Sequence, residues 1–411
     1  MNPFNYHWEQ LPNGPKLAVA QLPNAECSAA SIHIPAGSRD DPNRHAGLAH
    51  FLEHMVFKGT PHHKARELSL LIENVGGQIN ACTSEDQTSY DLRSEAEHIG
   101  TLLGVVCEML WESDFPEAEI QLEREVIDEE IIMYRENPGD HISDLLAKAM
   151  WGDQSLGHSI SGDDQSIQQI RRPELRQFRD SHYLREDLVI AVAGPHHFDQ
   201  VRDLIAPMLP GNFLRPDSCS RSARCRFTPT HITENRRSDQ LQLAIAWQTP
   251  GRHDEQRHAL RLLSLMLGES SSSRLFQELR EERGLCYQIG SDLNLYEEIG
   301  ALEVLAGLDP DGREEALECI HAQLTQLALD GPHGGELDRA KRIAITSAKL
   351  SLETGAAIAN WIGEGLLYHQ RIPSTREWIE KIQAVTDRQI IEAAEMIRSQ
   401  GSPALAEIRG E

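Results

Sequence analysis

The sequence predicts an α+β protein of two homologous halves, each an antiparallel-rich sheet packed with helices. Two observations carry that expectation. Hairpin patterns alternate with long helical patterns, an order that suits antiparallel sheets flanked by helices better than a doubly wound parallel sheet. The second half also repeats the first: residues 245–259 lie over residues 32–46 without a gap, so that Arg39 meets Arg252, Arg44 meets Arg257 and His45 meets His258. A constant offset marks an internal duplication. The expected boundaries are a first half at 1–210, a linker at 211–230 and a second half at 231–411. Residues 210–230 are rich in Pro, Ser and Arg without a period, as linkers are.

Taken in order, Tyr6–Leu22 reads as a hairpin about Pro12-Asn13-Gly14-Pro15, with polar and apolar residues alternating on both sides. Ser28–Ala36 is a strand ended by Gly37, and Asp40-Asp41-Pro42-Asn43 supplies turn and helix-start residues. The next helix packs through Ala46, Leu48, Ala49, Leu52, Met55, Val56 and Phe57 and stops near Gly59 and Pro61. A helix over Ala65–Val75 ends at Gly76-Gly77. Strands Gln78–Cys82 and Gln87–Arg93 follow, joined through Ser84-Glu85-Asp86. Helices are expected near Ala96–Glu112, Glu117–Glu136, Asp140–Trp151 and Pro173–Tyr183, then a strand Leu188–Ala193 and a helix after Pro195.

Composition limits the function. The chain has 411 residues, enough for two or three cores, and 40% hydrophobic and 25% charged residues are ordinary globular values. Sixty-four acidic against 39 basic residues give a net charge of −25. That argues against a nucleic-acid partner, whose binding is driven by neutralising phosphates. It suits a basic peptide, although solubility alone explains it. No run is apolar enough to span a bilayer, and Met1–Gln10 has no apolar core of a signal peptide. The cysteines at 27, 82, 107, 219, 225, 286 and 319 are odd in number and form no C-x-x-C pair. Reduced thiols and a cytoplasmic location are therefore expected.

The chemistry gathers at His50-Phe51-Leu52-Glu53-His54. Histidines four apart on a helix share a face, and Glu53 lies about 60° round from His50 and about 100° from His54. Two imidazoles to hold a zinc ion, with a carboxylate beside them to take a proton from water, are the inventory of zinc hydrolysis. The pattern is the H-x-x-E-H of inverzincins. At the constant offset, the second half carries Leu263, Met266 and Leu267 instead. A fold that accepts apolar residues there does not need the trio for structure, so the trio is functional. A third ligand is sought in Glu119–Glu136, an acidic helix with Ile120, Val126, Ile127 and Ile131 as packing positions. Glu123 and Glu130 are two turns apart and nearly aligned, while spacing alone does not choose between Glu129 and Glu130.

His50–Thr60 (HFLEHMVFKGT), Asn74–Thr83 (NVGGQINACT) and Glu123–Tyr134 (EREVIDEEIIMY) together resemble the pitrilysin family of zinc peptidases. The likeness is greatest to its short-subunit branch, which includes mitochondrial and bacterial processing peptidases, and it continues through Ser271–Tyr287 (SSSRLFQELREERGLCY). The resemblance implies the LuxS/MPP-like metallohydrolase fold and one Zn2+ per chain. It implies His50, His54 and Glu130 as ligands, Glu53 as general base, and Glu123 as a carboxylate that supports the site without binding metal. Arg280 and Tyr287 match a pair that holds the substrate backbone and the oxyanion, and Asn80 and Ala81 match an edge strand that pairs with peptide. The usual glycine-rich stretch is replaced by Leu267-Gly268-Glu269-Ser270-Ser271-Ser272-Ser273. Cys82 is expected to be a small buried residue.

The expected function is thus zinc-dependent endopeptidase activity on peptides or unfolded segments inside a closed chamber. The chain carries both the zinc motif and the Arg/Tyr pair, so a homodimer is expected, with a heterodimer of related subunits as the alternative. Two other readings are a non-catalytic peptide-binding or assembly scaffold and a maturation peptidase dedicated to one modified peptide. The complete trio argues against the scaffold.

Overall fold

A computed structural model describes residues 4–12, 14–215, 224–237 and 239–410. Asn13 of the first turn, Cys219 and the middle of the expected linker 211–230 lie outside the described residues. Two compact units emerge. The first joins Met1–Ile131, Ser159–Ala223 and Lys349–Arg376, and the second joins Ile132–His158, Arg224–Ala348 and Glu377–Glu411.

In the first unit six strands, β1 (Asn5–Gln10), β2 (Lys16–Gln21), β3 (Cys27–Ile34), β4 (Gln78–Thr83), β5 (Thr88–Glu95) and β6 (Val189–Gly194), form one sheet. Their order is β1-β2-β6-β3-β5-β4, and only the β2–β6 pair is parallel. In the second unit five strands, β7 (His231–Arg236), β8 (Leu241–Pro250), β9 (Cys286–Leu295), β10 (Ile299–Leu308) and β11 (Ala404–Gly410), run in the order β7-β11-β8-β10-β9. Only β11–β7 is parallel. The second sheet therefore repeats β2-β6-β3-β5-β4 strand for strand, each neighbour pair in the same sense. The duplication read from residues 32–46 and 245–259 is a duplication of topology.

The units are not continuous in sequence, as linear boundaries at 1–210 and 231–411 would have them. Helix Pro138–Trp151, from the first half of the chain, packs on β11, β8 and β7 of the second unit. Helix Gly355–His369, from the second half, packs on β3, β6 and β2 of the first. Both sheets are consequently buried on two faces. In the first, Leu17, Val19, Ile32, Ile190 and Val192 meet the core beneath the helices Leu48–Met55 and Ile99–Glu112. The alternate residues Ala18, Ala20, Ala191 and Ala193 meet Ile358, Ala359, Ile362 and Leu366 of helix Gly355–His369. Small residues on that face let the helix approach closely. At Gly363 a Cβ would lie 2.2 Å from His33 Nε2, so only glycine fits.

This covering explains a difference from the expected hairpin. Its two strands do not alternate in burial: β2 is buried almost throughout and β1 is exposed throughout. The inner strand is sandwiched by helices, while β1 is the uncovered edge.

Candidate metal centre

The helix Leu48–Met55 begins on a buried carboxylate. Asp41 accepts hydrogen bonds from the backbone N–H groups of Gly47 (2.8 Å), Leu48 (3.1 Å) and Ala49 (2.9 Å), donors a helix start leaves unpaired. Burial pushes the Asp41 carboxyl well up, and these hydrogen bonds work against that shift. Gly47 carries the chain into the helix at φ 89°, and a Cβ there would lie 2.6 Å from Ser161 O. Ala49, Phe51, Leu52 and Met55 are fully buried, which leaves His50, Glu53 and His54 on the opposite, partly exposed face.

The acidic helix Glu117–Glu136 brings the third donor. Ile120, Ile127 and Ile131 bury one face together with Glu123 and Arg124. Val126, expected to pack, is instead 52% exposed, because it sits about 100° round the helix from Ile127, beside exposed Leu122. Glu129 is exposed. Glu130 Oε2 lies 3.8 Å from His50 Nε2 and 3.7 Å from His54 Nε2. One ligand atom from each of His50, His54 and Glu130 can be chosen so that all lie within 4.8 Å of one another.

The two histidines are held differently. His54 Nδ1 lies 2.8 Å from Glu123 Oε1, and the other Glu123 oxygen accepts from the Lys58 ammonium. The bond fixes Nδ1 as the protonated nitrogen of neutral His54 and leaves Nε2 free. Burial pulls the His54 pKa down, but the Glu123 hydrogen bond and the charges of Glu123, Glu130 and Glu53 outweigh it, so the net shift is upward. Burial likewise opposes the Glu123 carboxylate, yet His54 and Lys58 bring its pKa below the usual range. For His50, burial and then the neighbouring His54 push the pKa down to about 4, and its Nδ1 is buried without a hydrogen-bond partner among the described residues. His50 is thus neutral and able to ligate at neutral pH, whereas the carboxylates favour the charged form of His54 and Glu123 sets which nitrogen is free once that ring is neutral. Two imidazole nitrogens and one carboxylate oxygen converging in this way fit a zinc ion.

Glu53 accepts a hydrogen bond from the Thr83 hydroxyl at the end of β4. Burial raises its pKa, the Thr83 hydrogen bond opposes the shift, and the Glu130 charge adds to it. Asn80 and Ala81 lie in β4, the edge strand of the first sheet, opposite Asp91 and Tyr90 of β5. Cys82, expected to be buried, is exposed, since it follows Gln78 and Asn80 on the outward-facing side of that edge. Arg280 and Tyr287 come together in the second unit: the Arg280 guanidinium carbon is 5.6 Å from the Tyr287 ring centroid and 4.7 Å from that of Phe276. Tyr287 is 80% exposed, so it is not a core strand residue. The counterparts of the trio, Leu263, Met266 and Leu267, are buried core.

Three residues with a place in this site were not singled out from the sequence: Asp41 as the cap, Lys58 and Thr83. Asp41 stood only among helix-start residues. The other two lie inside the quoted family motifs, but their roles depend on contacts between segments far apart in sequence.

Residues 16–164 match the family model described as insulinase, peptidase family M16, and residues 169–344 match the model described as the peptidase M16 inactive domain. Over 373 residues the chain is 32% identical to the uncharacterized zinc protease YmxG of Bacillus subtilis, covering 91% of each protein. It is 32% identical over 383 residues to the uncharacterized zinc protease SCO5738 of Streptomyces coelicolor, covering 92% of this chain and 83% of that one. Among solved structures, a protease from Helicobacter pylori superposes with a TM-score of 0.91 at 20% identity, covering 99% of this chain and 100% of that one. With matches to both of its domain models and relatives aligned over nine-tenths of its length, this chain belongs to peptidase family M16, the pitrilysin and insulinase family.

Proposed function

We propose that this protein is a zinc-dependent endopeptidase acting on peptides or unfolded segments. The convergence of His50, His54 and Glu130, with Glu53 on the same helix, is the observation that carries the reading. The names of its relatives, zinc proteases, support it. In this reading His50 Nε2, His54 Nε2 and a Glu130 oxygen hold one zinc ion per chain. When bound, the ion supplies a Lewis acid that polarises a carbonyl and makes water more acidic. Glu53 takes the proton from the attacking water and passes it to the leaving amine. Glu123 keeps His54 in the ligating tautomer, with Lys58 balancing its charge. An extended peptide adds to the free edge of β4 at Asn80 and Ala81 through main-chain hydrogen bonds, which reads backbone and suits broad specificity. Arg280 and Tyr287 supply donors for the substrate backbone and for the charge that develops on the carbonyl oxygen. A closed chamber around the peptide and a homodimeric working form complete the reading, and a solution mass measurement checks the dimer.

The test is metal analysis combined with a peptide library, with and without chelator. Wild-type protein should bind one zinc and cleave. Glu53→Gln should keep the zinc and lose cleavage by several orders of magnitude. Retained turnover in that variant overturns the role of Glu53, and chelator-resistant cleavage overturns the zinc reading.

A further inference from the structure

Edge-strand pairing and proton transfer, as proposed above, involve different elements, β4 and the helix Leu48–Met55, called the metal helix after its candidate ligands. One side chain joins them. Thr83 is the last residue of β4, opposite Thr88 in the β4–β5 register, and it is 8% exposed. Its hydroxyl donates to Glu53 Oε2. The hairpin holding Thr83 is itself fixed: Ser84 N–H donates to Gln87 O at 2.8 Å, and the Thr88 hydroxyl donates to Ala36 O at 3.0 Å. Thr83 is therefore a rigid anchor rather than a mobile surface group.

A glutamate side chain has three rotatable bonds and a nearly free terminal torsion. On a partly exposed helix face nothing in that stem selects one orientation. A general base must lie within hydrogen-bond reach of the proton it takes, and misplacement by about 1 Å can cost on the order of 100-fold in rate. We infer that Thr83 is a positioning residue for Glu53: its hydroxyl occupies one carboxylate oxygen, leaves the other free to receive a proton, and ties the base to the strand on which peptide pairs. The inference rests on the reading of Glu53 as general base. It predicts that the hydroxyl, not the bulk of the side chain, matters.

Two measurements test it. The first needs no catalysis. A double-mutant cycle of Thr83→Val and Glu53→Met, read as unfolding midpoints of the metal-free protein, should be non-additive, because each substitution removes the same contact. Additive midpoints overturn the tie. The second is kinetic. In zinc-loaded Thr83→Val, an isosteric change that removes only the hydroxyl, kcat should fall on the order of 10- to 100-fold, with KM within about twofold and zinc affinity by chelator competition unchanged. Thr83→Ser, which keeps the hydroxyl, should retain most of kcat. Equal losses in Val and Ser variants, or a loss in KM alone, overturn the positioning role. Wild-type zinc protein that cleaves nothing overturns the peptidase reading itself, while the thermodynamic cycle still decides whether the contact exists.

Discussion

His54 shows how one carboxylate decides the chemistry of a ring. Its Nδ1 is engaged by Glu123 at 2.8 Å, so the free nitrogen is the one that faces Glu130. Glu123→Gln should fold but bind zinc about 10- to 100-fold more weakly, the usual cost of losing such a partner, measured by chelator competition. Lys58→Met should weaken binding in the same direction and by less, because Glu123 would lose its charge partner but keep its bond to His54. Away from the metal centre, His182 gives a pH prediction. Burial, and then the nearby Arg185, push its pKa from 6.5 down to about 4, while Asp187 opposes them. The unfolded chain therefore binds the proton more readily than the folded one. His182 contributes stability above pH 6.5 that is lost as pH falls toward 4, at most on the order of 3 kcal/mol. His182→Leu should flatten the fall of the unfolding midpoint between those pH values; an unchanged slope would reject the assignment.

At the scale of elements, the metal helix depends on a start that its own residues do not provide. Asp41 satisfies three backbone donors, and Gly47 sits where a Cβ would meet Ser161 O. Asp41→Ala should cost about 1–3 kcal/mol through donors left buried and unpaired, read as a lowered unfolding midpoint. Gly47→Ala should be destabilising for a different reason, the positive φ together with the close backbone. Much of this level was legible beforehand. The order of helices and strands in the first half and the burial of Ala49, Leu52 and Met55 follow from period, whereas the helix placed directly after Asp40-Asp41 begins only at Leu48, beyond short turns at Ser38–Asp40 and Asn43–His45. The burial of β2 on both faces was missed although Leu17-Ala18-Val19-Ala20 is an unbroken apolar run, and the helix that covers its second side is distant in the chain. Val126 fails for a related reason: an apolar residue on a helix packs only if another element lies on that side, and β-branching alone does not say so.

At the scale of the whole molecule, the duplicated chain exchanges helices between its sequence halves. Helix Gly355–His369 buries Ala18, Ala20, Ala191 and Ala193 of the first sheet. Residues 1–210 produced alone lack that cover and expose an apolar sheet face. They should be poorly folded or aggregate, and adding a peptide that spans the helix should improve solubility; a monomeric, cooperatively unfolding 1–210 fragment would contradict this.

The sequence by itself determined the two-fold repetition, the grouping of His50, Glu53 and His54 on one helix and the family, because each is written in residues close together or at a constant offset. Helical geometry places His50, Glu53 and His54 on one face whatever surrounds them. It did not choose between Glu129 and Glu130, which differ by one position on one helix, and only the family resemblance pointed to Glu130. The tertiary structure decided that Glu130 rather than Glu129 meets the histidines, that Lys58 and Thr83 hold Glu123 and Glu53, and that each sheet borrows a helix from the other half. These are encounters between segments tens to hundreds of residues apart. They are fixed by how the two sheets are covered, and no local spacing records that.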